Sequence, residues 1–132
     1  GVGHWLHVDL SLRRILGVVF VPLAWCMGVP AADCQTVGGL LGLRLVATEI
    51  PAYQELSSLM ASVALTGART PMITAYALCG FAHVASLAIF VGGVTALAPE
   101  RRVDVVAVGF RSLFAATLAC LMTGAVAGIF CQ

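Results

Sequence analysis

A glutamate, a histidine and a serine stand out in a chain with little other polar chemistry. Glu49 lies in Thr48-Glu49-Ile50-Pro51, and His83 and Ser86 lie in a run with no charged residue from Met72 to Leu97. His83 and Ser86 are three residues apart, which puts them on one face of a helix. A carboxylate that accepts, beside an imidazole and a hydroxyl that both donate and accept, is chemistry for holding a hydroxylated solute. A carboxylate inside a bilayer costs ~2.5–3.5 kcal/mol on insertion scales, so Glu49 must reach water, pair with a cation or bind something. The structural alternative pairs Glu49 with Arg44, the nearest cation in the same stretch. For His83 the alternative is hydrogen-bonded packing, and for Ser86 it is a bond to its own helix backbone.

The solvent follows from composition. The 132 residues are 61% hydrophobic and 10% charged, and the mean hydropathy is +1.03, too little polar surface to coat a water-soluble globule. The formal net charge is +1 and all seven basic residues are scattered arginines, so no basic face exists to hold a nucleic acid. The cysteines form no CxxC pair and read as small apolar residues, not metal ligands. No Gly-x-Ser-x-Gly elbow, His-Glu-x-x-His or glycine-rich phosphate loop occurs, and His4 and His7 lie in the polar lead-in, so an enzyme is not expected. Asparagine and lysine are absent, the mark of a GC-biased source. The chain starts at Gly1 and stops at Gln132 directly after an apolar run, and reads as a piece of a longer protein.

The elements that must position these residues form an all-α membrane protein. Residues 11–30 are expected to be an interfacial helix behind Arg13-Arg14, because Ile15–Val29 reaches only ~23 Å against a hydrocarbon core of ~30 Å; a short tilted span is the alternative. Residues 36–67 are expected to be a re-entrant helical hairpin, with arms at Val37–Ala47 and about Leu56–Leu65 and a break just after Glu49, where Pro51 pushes Ile50 toward extended backbone. Residues 72–97 are expected to be a transmembrane helix partly unwound at Gly80-Phe81-Ala82-His83, and residues 103–131 the last transmembrane helix. Arg101-Arg102 predicts a cytoplasmic loop over residues 98–102 and a C-terminus outside.

Several segments resemble one family. "YALCGFAHVAS" at 76–86 resembles the YALCGFAN-x-x-S signature of the concentrative nucleoside transporters, and "GLRLVATEIPAY" at 42–53 resembles their element around Asn-Glu-Phe. "VPLAWCMGVP", "GGVTALAPERR" and "FAATLACL" follow the same family in the same order. The resemblance implies the C-terminal part of a transport domain, half of an inverted repeat. It implies that Glu49, His83 and Ser86 contact a nucleoside ribose, with Phe81 of the same stretch as a fourth substrate-binding residue. The chain departs from the pattern in having Thr48 and His83 where the family has asparagine, and Ile50 where it has phenylalanine.

The function so implied is part of a cation-coupled nucleoside symporter of the plasma (inner) membrane, multi-pass and homotrimeric. No cofactor is expected beyond sodium as coupling ion, whose ligands would lie upstream. The partners are a nucleoside, the lipid bilayer and the rest of the same chain. The alternatives are a transporter of the same architecture with another substrate or proton coupling through His83 and Glu49, and a non-transporting degenerate membrane fragment.

Overall fold

The computed structural model describes residues 2–80 and 82–130, with side chains described from residue 14 onward. Among the described residues six α-helices follow one another: α1 Val2–Cys26, α2 Ala31–Val46, α3 Glu49–Ala61, α4 Thr70–Leu78, α5 Val84–Leu97 and, after a 3₁₀ turn at Pro99–Arg101, α6 Arg102–Phe130. No strand occurs among the described residues.

α1 starts well before residue 11 and stops at Cys26, whereas a helix over 11–30 was expected. Its stop is local chemistry. Gly28 adopts φ +87°, a left-handed conformation that costs glycine little. The Gly28 N–H donates to the Trp25 carbonyl at 3.0 Å and the Val29 N–H to the Ala24 carbonyl at 3.3 Å, the paired bonds of a Schellman stop. Pro30 then begins the next helix as its N-cap.

α1 lies along α2 in the most extensive helix contact of the fold. Backbone meets backbone there because three glycines face each other. A Cβ on Gly38 would stand 2.6 Å from the Gly17 carbonyl oxygen, and one on Gly42 would stand 2.9 Å from Leu16 Cβ. Gly38 and Gly42 are one turn apart, the small-residue spacing that lets helices approach closely. Phe20 and Ala24 of α1, and Met27 just after it, then bury against Val37, Leu40 and Leu41 of α2, with Leu56 of α3, Ile73 and Leu78 of α4 and Leu121 of α6 closing the core.

The hairpin breaks one step earlier than expected. Its extended residue is Thr48, at φ −169° and ψ −179°, and Glu49 already opens α3. Pro51 sits in the first turn of α3, where the N–H that proline lacks has no partner to lose, so it helps to start a helix instead of ending one. Ile50 is accordingly helical, not extended. The open end of the hairpin is tied by Asp33, a residue the sequence did not single out. Its carboxylate accepts from the Thr66 N–H and hydroxyl, the Gly67 N–H and the Thr70 hydroxyl at 2.8–3.1 Å. Burial alone would raise the Asp33 carboxyl, but these bonds outweigh it and hold the pKa at about 2.

No single helix covers 72–97; α4 and α5 share it, with Cys79–His83 between them. Both pack on α6, whose helix, with the preceding turn, is the one described segment long and apolar enough to cross a membrane, at Pro99–Phe130. α5 has no buried residue, and Ile89, Phe90, Leu97, Phe110, Phe114 and Ile129 all point outward. So much contiguous apolar surface belongs against lipid or protein, not water.

Two substitutions test this packing in the full-length protein. Gly38→Leu forces α1 from α2 and is expected to cost ~1–3 kcal/mol, lowering the thermal unfolding midpoint in detergent. Gly92→Ala, where a Cβ meets nothing within 4 Å, is the control that leaves the midpoint level or raises it. Val63 ends α3 at φ +51°, with its own N–H bonded to Met60 and that of Ala64 to Leu59. A β-branched residue is strained in that left-handed position. Val63→Gly is therefore expected to stabilise the protein by ~0.5–1 kcal/mol after the entropy cost of glycine. An unchanged or lower midpoint would contradict the strain.

Candidate functional site

Glu49 and His83 both stand where a helix begins. Glu49 is the first residue of α3, and His83 is the N-cap of α5, with extended backbone at φ −137° and ψ 156°. Folding brings the two starts together, so that Glu49 Oε2 lies 3.0 Å from His83 Nε2. The carboxylate thus meets two helix N-termini, its own and that of α5, and both helix dipoles favour its negative charge.

The cap assigns the imidazole its tautomer. His83 Nδ1 accepts from the Ser86 backbone N–H at 3.1 Å, which satisfies a donor that the first turn of α5 would leave unpaired. A ring nitrogen that accepts carries no proton, so the neutral ring bears it on Nε2, the atom facing Glu49. The Ser86 hydroxyl stands 2.9 Å from Nε2 and 3.2 Å from Nδ1. Glu49 Oε2 is close to Nε2 but accepts no aligned hydrogen bond, so its lone pairs are left for a further donor.

Three of the four residues singled out from the sequence are therefore gathered at one place: Glu49, His83 and Ser86. Phe81 lies outside the described residues. The Glu49–Arg44 pair weighed as the structural alternative does not form. Arg44, 1% exposed, points its Nη1 at the Ala77 carbonyl of α4, 2.6 Å away. The physical reason is that α4 ends at Leu78, and its last carbonyls, without intrahelical partners and at the negative end of the helix dipole, attract a cation.

Two neighbours were not legible as site residues. The Tyr53 hydroxyl donates to the Ala75 carbonyl at 2.7 Å; its spacing of four from Glu49 on α3 was the available signal. Gly80 lies so close to α6 that a Cβ there would collide with Cys120 Sγ. A groove of about 490 Å³ opens beside His83 and Ser86, between α5 and α6, lined otherwise by apolar side chains such as Leu87, Phe90 and Leu113 and by Ser112. Glu49 does not line it, so the carboxylate approaches His83 from the hairpin side. Among the described residues no group of three or more His, Cys, Asp or Glu side chains is arranged to hold a metal.

The arrangement gives one acceptor and one donor side by side at two helix breaks, which suits an uncharged solute bearing hydroxyl groups. The family model for the C-terminus of Na⁺-dependent nucleoside transporters matches residues 1–128. NupX of Escherichia coli is 40% identical over 129 residues, covering 97% of this chain and 31% of NupX. Mouse sodium/nucleoside cotransporter 1 is 38% identical over 133 residues, covering 91% of this chain and 20% of that protein. The solved structure of CNTnw N149L in its intermediate 1 state superposes with a TM-score of 0.83 at 40% identity, over 100% of this chain and 32% of that one. The chain thus spans about a third or less of the length of these relatives. It belongs to the sodium-dependent nucleoside transporter family, in the family's C-terminal region.

Proposed function

We propose that these residues are part of the transport domain of a cation-coupled nucleoside symporter and supply the ribose side of its substrate site. The observation that carries the reading is the Glu49 carboxylate, held 3.0 Å from His83 with an oxygen that accepts no aligned hydrogen bond. A ribose hydroxyl would donate to Glu49 and accept from His83 Nε2–H, and Ser86 and Phe81 would complete the contact. Buried polar groups built for a hydroxyl penalise analogues that lack it.

In this reading α1 lies at the membrane interface, α2 and α3 form a re-entrant hairpin over 36–67, α4 and α5 form a broken span over 72–97, and α6 is the last span. α2 and α3, of 16 and 13 residues, would reach only ~24 and ~20 Å, short of the ~30 Å a span needs. Loop 98–102 is cytoplasmic, the C-terminus is outside, and the protein is a homotrimer of the plasma membrane. The symporter is no enzyme. Sodium is the coupling ion, held by residues outside this chain.

His83 marks what is particular here. The family amide both donates and accepts, whereas this imidazole has Nδ1 committed to the Ser86 N–H. The other ring nitrogen, Nε2, stands 3.0 Å from Glu49 and 2.9 Å from the Ser86 hydroxyl, so the imidazole meets both partners through one atom where an amide has two. The contact of a titratable imidazole with a carboxylate also favours a second reading, a proton-coupled transporter in which the pair titrates.

Uptake of radiolabelled uridine and adenosine by the full-length protein decides between them. Sodium-dependent uptake at fixed pH, insensitive to a proton uncoupler, is the expected result; uptake driven by a pH gradient without sodium selects the second reading. Glu49→Gln is expected to lower kcat/KM for uridine at least about 100-fold, the scale of losing a charged hydrogen-bond acceptor in a buried site. His83→Asn is expected to retain uptake. Unaltered transport in Glu49→Gln would remove the carboxylate from the site.

A further inference from the structure

An interrupted helix in apolar surroundings must account for the carbonyls it leaves without partners. α4 ends at Leu78, and the four carbonyls that an α-helix cannot satisfy itself are those of Ala75, Tyr76, Ala77 and Leu78. Two are met within the turn, with the Cys79 N–H donating to Tyr76 at 3.3 Å and the Gly80 N–H donating to Leu78 at 2.8 Å. The other two are met from the hairpin. Tyr53 donates its hydroxyl to Ala75 at 2.7 Å, and Arg44 donates through Nη1 to Ala77 at 2.6 Å.

The account is complete, and the two hairpin donors flank Glu49 in sequence, Arg44 near the end of α2 and Tyr53 in α3. Arg44 is 1% exposed, and its Nε has no partner, so the side chain bears the cost of a buried cation with the bond to the Ala77 carbonyl in return. Its charge is offset by position, since it stands at the C-terminal ends of both α2 and α4, where the backbone dipoles are negative. A side chain held under those terms fixes the end of α4 against the tip of the hairpin. Because α4 leads through Cys79–His83 into α5, this fixes the site-forming break as well.

We infer that Arg44 and Tyr53 are positioning residues for the solute site: they clamp the C-terminal end of α4 to the hairpin, and so set the 3.0 Å approach of Glu49 to His83. They touch no solute themselves. The inference rests on the proposed substrate site, and its test separates the two.

The test measures uridine uptake by the full-length protein, with KM and maximal rate scaled to the amount in the membrane, for Tyr53→Phe, Arg44→Gln, Arg44→Lys and Glu49→Gln. Tyr53→Phe removes one hydroxyl and no volume, and is expected to raise KM about three- to tenfold, the worth of one hydrogen bond, with maximal rate per molecule within about twofold. Arg44→Gln is expected to raise KM further, and Arg44→Lys to recover part of the loss, because an ammonium still donates to the Ala77 carbonyl. A merely structural role would lower the amount of protein and leave KM as it was. If Glu49→Gln abolishes uptake while Tyr53→Phe and Arg44→Gln keep the parental KM, the clamp is overturned and the site stands. If Glu49→Gln transports normally, the site itself falls, whatever the clamp variants do.

Discussion

The fold turns on the cost of breaking two helices where the side chains at the breaks, Arg44 and His83, are buried. Each break exposes backbone groups worth several kcal/mol if left unpaired in hydrocarbon. The chain meets that cost by setting the breaks side by side and placing one charge of each sign between them. Arg44 stands at the C-terminal ends of α2 and α4, and Glu49 at the N-terminal ends of α3 and α5. Neither charge is paired with the other; each is matched to the helix ends it faces. A conventional Arg44–Glu49 ion pair would leave the Ala77 carbonyl unmet and occupy the Glu49 oxygen that now accepts no hydrogen bond.

Such a junction demands a rigid base. The α1–α2 contact supplies one side, where Gly17, Gly38 and Gly42 let two backbones touch. Asp33 supplies the other, gathering the loop before α4 onto the start of α2 through bonds from Thr66, Gly67 and Thr70. Asp33 lies at the far end of the hairpin from Glu49 and the glycine contact runs along α2 toward the tip, so the tip is held by its base, by α1 and by the end of α4. α5, by contrast, buries none of its residues in this chain. Its cover must come from lipid or from the rest of the protein, and the part of the site that depends on α5 is finished only there.

What could be read from the sequence follows from which costs are visible in one dimension. Glu49 and the His83/Ser86 spacing were visible because a carboxylate or an imidazole in an apolar run is expensive wherever it folds. Their meeting was implied by family likeness, not by spacing. The hairpin break was displaced because proline restricts two different places: it ends a helix in the interior and is harmless in the first turn, and local sterics alone do not say which applies to Pro51. The partner weighed as an alternative for Arg44 was the carboxylate near it in sequence, and the carbonyl it meets lies 33 residues away, where spacing gives no hint of it. Asp33 and Gly38 went unread since their roles exist only after α1, α2 and α4 have met.

His83 shows how a substitution is absorbed by backbone needs. An asparagine side chain caps a helix through its carbonyl oxygen and still has an amide to spare. Imidazole caps α5 through Nδ1 and thereby commits its proton to Nε2, 3.0 Å from Glu49. The cap of α5 and the face that the ring shows to Glu49 are thus one choice, since the nitrogen that accepts from the Ser86 N–H sets which nitrogen donates beside the carboxylate. An amide here would cap with its oxygen and turn its N–H groups outward, so the two side chains meet the same backbone demand and differ in the number and direction of the donors they have left.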